Sequence, residues 1–407
     1  MFSYVGRLLS RDALELAPAQ KYMYDHESLG NFRVISRIVA TRSRYVLTSK
    51  DAAPSELQRE LAELGHFSEL AYNVMPVEMV YSNLELLTQP GFPLEDAEVI
   101  KDSQLLQSFV GSVANLPGFT AYRSARKQLV VAISGTRTLK HVAYDFRNQM
   151  TRHPACKKCL VHKGFWKLYL GLKAPVMTAI RDALMEKAGE IEELAITGHS
   201  MGGAMSYLLA LDLLLEKEIL LPGLRIKLAV FGSPRVGNKR LARVWRKAVD
   251  DYRMEYGQEA LLEYSVKIYN DGATSLPPHS WKYRHFTKTP LYHYGSRLYR
   301  VPSSECEHGV FRVSVGEEEE RRRLQFPRGG HGYYNDRDME SFANRLSWIA
   351  EHMGEEGWKE RYLEQVKARE ELAEAQAVTK KRWKAIARPI VRRPSGSETT
   401  KVDDARQ

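Results

Sequence analysis

Residues 196–204, Ile-Thr-Gly-His-Ser-Met-Gly-Gly-Ala, carry the strongest chemical signal in the chain. Gly198, Ser200 and Gly202 form a Gly-x-Ser-x-Gly pattern, which holds a serine on a sharp turn between a strand and a helix. The apolar residues before it predict a buried strand, and the run 204–215 predicts a helix. The pattern therefore predicts that Ser200 is a nucleophile. The alternative is a glycine-rich turn that merely caps the helix.

A serine hydroxyl is a weak nucleophile unless a histidine accepts its proton and an acid orients that histidine. With this type of turn, both partners follow the serine along the chain, the acid before the histidine. Asp271 comes directly after the predicted strand 266–269, where such an acid belongs, although Asn-Asp-Gly is also an ordinary turn sequence. Asp250 and Asp251 fit less well because they end a predicted helix.

The histidine is harder to assign, because several follow Ser200. The candidates are His279, His285, His293, His308, His331 and His352. His331 lies in a glycine-rich loop ahead of the predicted helix 339–350, and such a loop can present a side chain. His308 is the main alternative. A histidine in a loop is often only a surface residue, so the residues alone leave this choice open.

The oxyanion that forms during attack on a carbonyl needs two hydrogen-bond donors. One is the backbone N–H after the serine, here that of Met201, and the other comes from a loop that follows an earlier strand. The predicted strand 129–133 leads into Ser-Gly-Thr, so Thr136 can offer its amide and its hydroxyl. The alternative is an ordinary strand end with a turn glycine.

Strands and helices alternate around these residues. Short apolar runs predict strands at 119–122, 129–133, 194–197, 226–231 and 266–269, and two more at 34–35 and 38–39. Helical spacing predicts helices beginning near Ser55 and over 173–190, 204–215, 238–250 and 339–350. This alternation predicts an α/β fold with a mainly parallel central sheet and helices on both of its faces.

Composition narrows the class of protein. The chain has 407 residues, of which 43% are hydrophobic and 27% charged, as expected for a globular protein with a sizeable core. No apolar run reaches the roughly 18 residues of a membrane span, and the first residues do not form a secretory signal. The small number of cysteines, three, predicts a cytoplasmic location.

Two of these cysteines, Cys156 and Cys159, form a Cys-x-x-Cys pair. We expect a surface loop with two free thiols, and the alternative is a redox or metal role. No second cysteine pair follows, and His153 and His162 are poorly spaced for a closed zinc site. No cofactor and no metal are expected.

The net charge of +10 suggests attraction to anionic partners, such as a membrane or a lipid droplet. No nucleic-acid motif accompanies the charge, so no nucleic-acid partner is expected. Residues 380–393 contain seven cations and no acid, which favours peripheral contact with anionic lipid. A solvated helix or a nuclear-import-like patch explains this stretch about as well. Residues 394–407 are polar and predicted to be disordered.

Four blocks, in the expected order, resemble the class 3, fungal-type lipase family of α/β-hydrolases. They are Val130–Thr136, Val161–Phe165, Gly198–Ala204 and Phe231–Asn238. Asp271 stands five residues before Leu-Pro-Pro, as the family's acid does, and His331 with Tyr334 resembles the family's histidine block. The resemblance implies a triad of Ser200, His331 and Asp271, with Thr136 and Met201 holding the oxyanion.

The resemblance covers about residues 60–352 and implies a serine hydrolase of lipid carboxylic esters, of the acylglycerol lipase type. A phospholipase or an acyltransferase on the same triad is an alternative, and a non-catalytic lipid-surface binding module is another. The chain departs from the family at Ser134, where arginine is usual, and at Val142, where the lid usually carries tryptophan. The predicted lid spans Arg137–Met150.

The predicted organisation has three parts. An N-terminal extension covers residues 1–54, a class 3 lipase-like α/β-hydrolase domain covers 55–353, and a charged, helical and partly disordered tail covers 354–407.

Overall fold

The computed structural model describes residues 32–135, 149–216, 219–314, 329–334, 336–369 and 371–372. The described residues up to Leu363 belong to one compact unit, His26–Leu363, and those from Glu364 onward belong to a second. Residues 358–369 and 371–372 are helical. The site and all the contacts that follow lie in the first unit.

Fourteen strands lie in the described part of the chain. They are β1 Arg42–Leu47, β2 Gln104–Val110, β3 Pro117–Arg123, β4 Gln128–Ile133, β5 Met150–Arg152, β6 Leu160–His162, β7 Glu193–His199, β8 Arg225–Phe231, β9 Gly237–Asn238, β10 Leu261–Ile268, β11 Tyr283–Arg284, β12 Leu291–Tyr294, β13 Arg297–Arg300 and β14 Val310–Val313.

Eight of these strands form the central sheet, in the order β13-β12-β10-β8-β7-β4-β3-β2. The five strands from β12 to β4 pair in parallel, and the pairs at the two edges are antiparallel. A smaller sheet contains β11, β9, β6 and β5, and β1 pairs in parallel with β14. The predicted α/β-hydrolase fold with a mainly parallel centre is confirmed.

Nine α-helices have defined bounds among the described residues. They are α1 Arg33–Val39, α2 Ser55–Leu70, α3 Val77–Ser82, α4 Leu84–Leu87, α5 Glu98–Lys101, α6 Lys163–Glu186, α7 Met201–Glu216, α8 Lys239–Tyr256 and α9 Met339–His352. The helices α2, α6, α7 and α8 and the strands β3, β4, β7, β8 and β10 lie where the sequence predicts them, with ends shifted by a few residues or more.

Successive side chains along each strand point to opposite faces of the sheet, which explains why helices cover both faces. On β7, Leu194 and Ile196 join the apolar core that includes residues of α6, α7 and α8. Thr197, one position on, instead donates its hydroxyl to the Leu64 carbonyl of α2 at 3.3 Å. On β8, Lys227 likewise pairs with Glu60 of α2. The helix α2 therefore lies on the face of the sheet opposite to α7.

The strands predicted at 34–35 and 38–39 are wrong, because the helix α1 covers both positions. The β-branched residues there favour strands in isolation. In the structure, the backbone of this segment packs against Gly272, where an added Cβ would lie 2.5 Å from the Phe32 oxygen and the Ser36 nitrogen. Tertiary contact therefore overrides the local preference.

Contacts cross both predicted domain boundaries. Ala52 forms an isolated bridge with Tyr299 of β13. At the other end, Trp358 and Tyr362 pack against Phe92, with ring centroids 6.5 and 5.0 Å apart. The boundaries at 54/55 and 353/354 stay predictions of where the hydrolase-like domain begins and ends.

The expectation of two free thiols at the Cys-x-x-Cys pair is wrong, because Cys156 and Cys159 form a disulfide. The pair lies in the turn between β5 and β6, and Cys159 is completely buried in the main core. The Cα atoms are 5.0 Å apart, within the range that a disulfide can bridge. The Cys159 N–H donates to the Cys156 carbonyl at 3.1 Å, and this turn brings the two side chains together.

Candidate active site

Ser200 occupies the turn between the end of β7 and the start of α7. Its backbone has a φ of 58°, in the left-handed region that non-glycine residues rarely adopt. A conformation of this kind costs about 1–3 kcal/mol, so the surrounding structure must hold it. The Ser200 N–H donates to the Phe231 carbonyl of β8 at 2.8 Å, which fixes the turn against the neighbouring strand.

The two glycines of the pattern have a steric role. A Cβ on Gly198 would lie 2.5 Å from the Gly202 carbonyl carbon. A Cβ on Gly202 would overlap the Ile133 carbonyl oxygen at the end of β4. The helix α7 therefore begins in contact with β4, and only residues without a side chain allow that approach.

Asp271 lies just after β10 and is fully buried. One carboxylate oxygen, Oδ1, accepts from the Ala273 N–H at 2.7 Å. The other, Oδ2, accepts from His331 Nδ1 at 3.0 Å and from the Tyr334 hydroxyl at 2.7 Å. Three donors converge on this buried carboxylate, so the structure brings the two residues predicted as acid and base into direct contact.

His331 is also buried, and its ring packs against two aromatic neighbours. The Phe32 ring meets it edge-on at 5.1 Å, and the His199 ring lies 4.4 Å away, measured between centroids. While Nδ1 pairs with Asp271, Nε2 has no hydrogen-bond partner in the described part of the chain. This nitrogen is therefore left for another group.

Gly232 connects the His331–Asp271 pair to the turn at Ser200. A Cβ on Gly232 would lie 3.0 Å from Asp271 Oδ2 and 3.1 Å from the His331 ring. Gly232 directly follows Phe231, whose carbonyl accepts from the Ser200 N–H. All three predicted residues therefore lie around the end of β8. A hydrogen bond between a catalytic serine and its histidine often tightens only when substrate is present.

Tyr334 has a role that the sequence did not show. Its ring is buried, and burial together with the negative Asp271 carboxylate raises the pKa of its hydroxyl well above the usual value. The hydroxyl stays protonated and acts as a donor. Asp271 thereby gains a second side-chain hydrogen bond besides that of His331.

His199 and Tyr72 connect the His331 loop to the sheet, and the sequence analysis identified neither. Burial lowers the pKa of His199 well below its usual value, so this imidazole is neutral. Its Nε2 lies 2.8 Å from the His331 carbonyl and its Nδ1 lies 2.7 Å from the Tyr72 hydroxyl. Because a carbonyl only accepts, Nε2 carries the proton and Nδ1 accepts from Tyr72. His199 occupies the first variable position of the Gly-x-Ser-x-Gly pattern, which was its only signal.

A partly buried ion pair holds the same loop to α2. Arg337 Nε lies 3.1 and 3.0 Å from the two carboxylate oxygens of Glu69, and Arg337 Nη1 lies 2.6 Å from His66 Nε2. Burial raises the pKa of the Glu69 carboxyl, an effect that Arg337 opposes. No sequence motif pointed to this pair, which stabilises the segment that follows His331.

One of the two predicted oxyanion residues, Met201, lies in the described part of the chain. Met201 is the first residue of α7, where a backbone N–H has no acceptor within the helix and the helix dipole favours negative charge. Thr136 lies outside the described residues. Most of the predicted lid, Val142 included, also lies outside the described residues. Only its last two residues, Gln149 and Met150, are described, and Met150 begins β5. Gly135, just before Thr136, is buried.

The alternative residues have other contacts. His308 Nε2 lies 3.4 Å from Glu305, and Asp251 accepts from Lys247 at 2.6 Å. In the described ranges there is no group of three or more histidine, cysteine or acidic residues that could hold a metal. The basic stretch 380–393 lies outside those ranges.

Residues 130–276 match the family model of lipase (class 3). This part of the chain is therefore similar to the class 3 lipase family. The matched region contains the four blocks that resemble the family and also Asp271. His331 lies beyond the match, so its assignment as the base depends on its hydrogen bond to Asp271.

Among relatives, secreted mono- and diacylglycerol lipase 1 of Fusarium solani is 29% identical over 189 residues, which are 46% of this chain and 51% of the relative. The chain spans about half the length of the curated relatives it matches.

Solved lipase structures share the fold. A lipase from Rhizopus microsporus var. chinensis aligns with a TM-score of 0.53 at 19% identity, over 72% of this chain and 91% of that lipase. A triacylglycerol lipase with a serine protease triad as its catalytic centre aligns with a TM-score of 0.53 at 19% identity, over 72% and 98%. No helix in the described part of the present chain is long and apolar enough to cross a membrane.

Proposed function

We propose that the chain is a serine-dependent carboxylic ester hydrolase that acts on lipid esters, with Ser200, His331 and Asp271 as its triad. The observation that carries this proposal is the hydrogen bond from His331 Nδ1 to the buried Asp271 carboxylate beside the strained turn of Ser200. The match of residues 130–276 to class 3 lipases supports the reaction class.

His331 acts as the general base in this proposal. Because Nδ1 donates to Asp271, the neutral imidazole has its lone pair on Nε2, the nitrogen without a partner in the described structure. Nε2 takes the proton of the Ser200 hydroxyl as the oxygen attacks the acyl carbonyl, then returns it to the departing alcohol. Water repeats the sequence on the acyl-enzyme and releases the fatty acid.

Asp271 and the oxyanion donors stabilise the charges that form. The carboxylate stabilises the imidazolium of His331, and Tyr334 helps to fix its orientation. The amide of Met201 at the start of α7, together with Thr136, binds the oxyanion. Each donor acts where charge develops in the transition state, so these contacts lower the barrier rather than only binding substrate.

The proposed substrates are mono-, di- or triacylglycerols. A relative with this name, a mono- and diacylglycerol lipase, supports the acylglycerol class. The net charge of +10 supports peripheral contact with an anionic membrane or lipid-droplet surface, where such esters reside. A screen of purified enzyme against acylglycerols and phospholipids distinguishes a lipase from a phospholipase.

Replacing Ser200 tests the proposal directly. We expect Ser200→Ala to lower hydrolysis of a soluble butyrate ester and of diacylglycerol by at least about a thousandfold, and to abolish labelling by a fluorophosphonate. Ser124→Ala, which removes an exposed hydroxyl from a surface turn, is the control and keeps both activities. Unchanged hydrolysis by Ser200→Ala would place the chemistry elsewhere.

The cytoplasmic location stays a prediction. The name of the Fusarium relative describes it as secreted, and a disulfide persists more readily in an oxidising compartment. The Cys156–Cys159 bond therefore favours an oxidising location for this chain. Counting free thiols in protein alkylated at the moment of lysis, next to a cytosolic marker, distinguishes the two locations.

A further inference from the structure

Exposed apolar side chains concentrate near the start of the described chain. Of the fifteen large hydrophobic residues that are exposed in the described part, four lie within residues 34–46. Val34 and Ile38 are 69% and 76% exposed and lie one turn apart on α1, so they share one face of that helix. Val46 on β1 is 42% exposed. The shared face of Val34 and Ile38 is thus exposed apolar surface on a short helix, and an exposed apolar face of this kind can mark an interaction surface.

Arginines accompany these apolar side chains. Arg37 on α1 and Arg42 and Arg44 on β1 are all exposed. None of the three forms an ion pair with another residue of the described chain, in contrast to arginines such as Arg123 and Arg337. The six residues Val34, Arg37, Ile38, Arg42, Arg44 and Val46 lie on the consecutive elements α1 and β1 and are here called the N-terminal patch. They combine exposed positive charge with exposed apolar side chains.

The segment that carries this patch is part of the wall of the active site. Phe32, directly before α1, is buried with its ring edge against His331. The backbone of α1 packs so closely on Gly272 that no Cβ fits there, and Gly272 follows Asp271. A surface that binds α1 therefore lies beside both His331 and Asp271.

We propose that the N-terminal patch docks the enzyme on an anionic lipid surface. This inference rests on the proposed lipid esterase function and assigns a specific surface to the contact with lipid. Arginines complement anionic headgroups, while Val34 and Ile38 enter the apolar layer beneath them, which is the pattern of interfacial helices. A purely acidic protein partner would leave the exposed apolar residues without a role.

Vesicle sedimentation of the full chain in a Ser200→Ala background tests this, because no lipid is then hydrolysed. The vesicles contain phosphatidylcholine with or without phosphatidylglycerol. The test variant is R37Q/R42Q/R44Q, and the matched control is K239Q/R240Q/R243Q, which removes three exposed cations from α8. Because each arginine near an anionic surface adds to the attraction, we expect the test variant to bind at least about tenfold more weakly.

A second pair of variants tests the apolar part. V34S/I38S is compared with M185S/M254S, whose side chains are 71% and 74% exposed elsewhere. We expect only the first to weaken binding to the anionic vesicles. Equal losses in the test and control variants, or no binding of the parent chain to anionic vesicles, would overturn the proposal.

The rate of fluorophosphonate labelling without lipid, measured in chains that keep Ser200, separates the two hypotheses. A parent chain that sediments through the N-terminal patch but is not labelled would contradict the hydrolase function and leave the docking surface standing. If the parent chain is labelled while its patch variants sediment normally, the docking surface is contradicted and the hydrolase function is left standing.

Discussion

Two buried polar clusters lie near the end of β10, and they use their hydrogen bonds differently. The first, the site cluster, consists of Asp271, His331 and Tyr334. The second, the arginine cluster, consists of Arg235, Glu307 and Lys267. Both contain charged groups that are removed from water, so burial of charge by itself does not distinguish a reactive site from a structural one.

The arginine cluster pairs its donors with the surrounding backbone. Arg235 Nε donates to the Glu307 carboxylate at 2.9 Å, and Nη1 donates to the Ser275 carbonyl at 2.6 Å and the Pro277 carbonyl at 3.1 Å. Lys267 Nζ donates to the carbonyls of residues 306 and 308. Arg235 thereby joins the block 231–238 to the Leu-Pro-Pro that follows Asp271, which gives this cluster a structural role.

The site cluster instead leaves one basic nitrogen without a partner in the described structure, His331 Nε2. An imidazole nitrogen without a partner does not by itself mark a reactive site, because Nε2 of the buried His153 also has no partner in the described structure. Nδ1 of His153 accepts from the backbone N–H of Ala155, so its Nε2 carries the proton. In His331, Nδ1 donates to a carboxylate, and Nε2 is therefore left able to accept a proton.

Asp271→Asn gives the largest expected difference between the two clusters. An amide can donate to His331 Nδ1 and thereby favour the wrong tautomer, so we expect kcat on a soluble ester to fall by about 10³–10⁴-fold. Unfolding in urea should change far less. A variant that loses stability in proportion to its activity would show that Asp271 mainly holds the loop together.

Arg235→Met should do the opposite. Removing one partner of a buried ion pair leaves Glu307 uncompensated, and we expect the free energy of unfolding to fall by about 3–5 kcal/mol. The double variant R235M/E307L should recover part of this loss, because no unpaired charge remains. Fluorophosphonate labelling of the protein that stays folded should persist. Loss of labelling at unchanged stability would move Arg235 into the site cluster.

Tyr334→Phe sharpens the assignment within the site cluster. A hydrogen bond to a charged group contributes about 1.5–3 kcal/mol, so we expect kcat to fall by about ten- to a hundredfold while KM changes little. Tyr333→Phe, on a buried neighbour, serves as the control. Equal effects of the two changes would mean that the Asp271 contact of Tyr334 has no special role.

Lys267 gives the arginine cluster a dependence on pH. Burial, and then the charge of Arg235, lower the pKa of Lys267 from 10.5 to about 7. The unfolded chain therefore holds this proton more tightly, and the contribution of Lys267 to stability rises as pH increases from about 7 to 10.5. We expect the stability of the parent chain relative to K267M, measured in urea, to increase across that range. A constant difference between the two chains would contradict the lowered pKa.

Part of the fold and the site could be predicted because the signals are local. Apolar runs mark β4, β7 and β8, because these strands are buried and leave little choice of residue. Glycines mark the turn at Ser200, because the backbone segments approach closely there. The helix α1 could not be predicted, because its β-branched residues favour a strand and only packing on Gly272 selects a helix. The Cys156–Cys159 disulfide was missed because cysteine number says little about the geometry of one hairpin.

By itself, the sequence determined the α/β order of the elements and the three residues that are the best candidates for the chemistry, with the family resemblance needed to favour His331 over His308. Only the tertiary structure decided which groups surround them. The Asp271–His331 contact joins residues sixty positions apart, and the hydrogen bonds of Tyr72, His199 and Arg337 join more distant ones. Such pairings leave no periodic or compositional trace, because each depends on where separate segments meet once the core has formed.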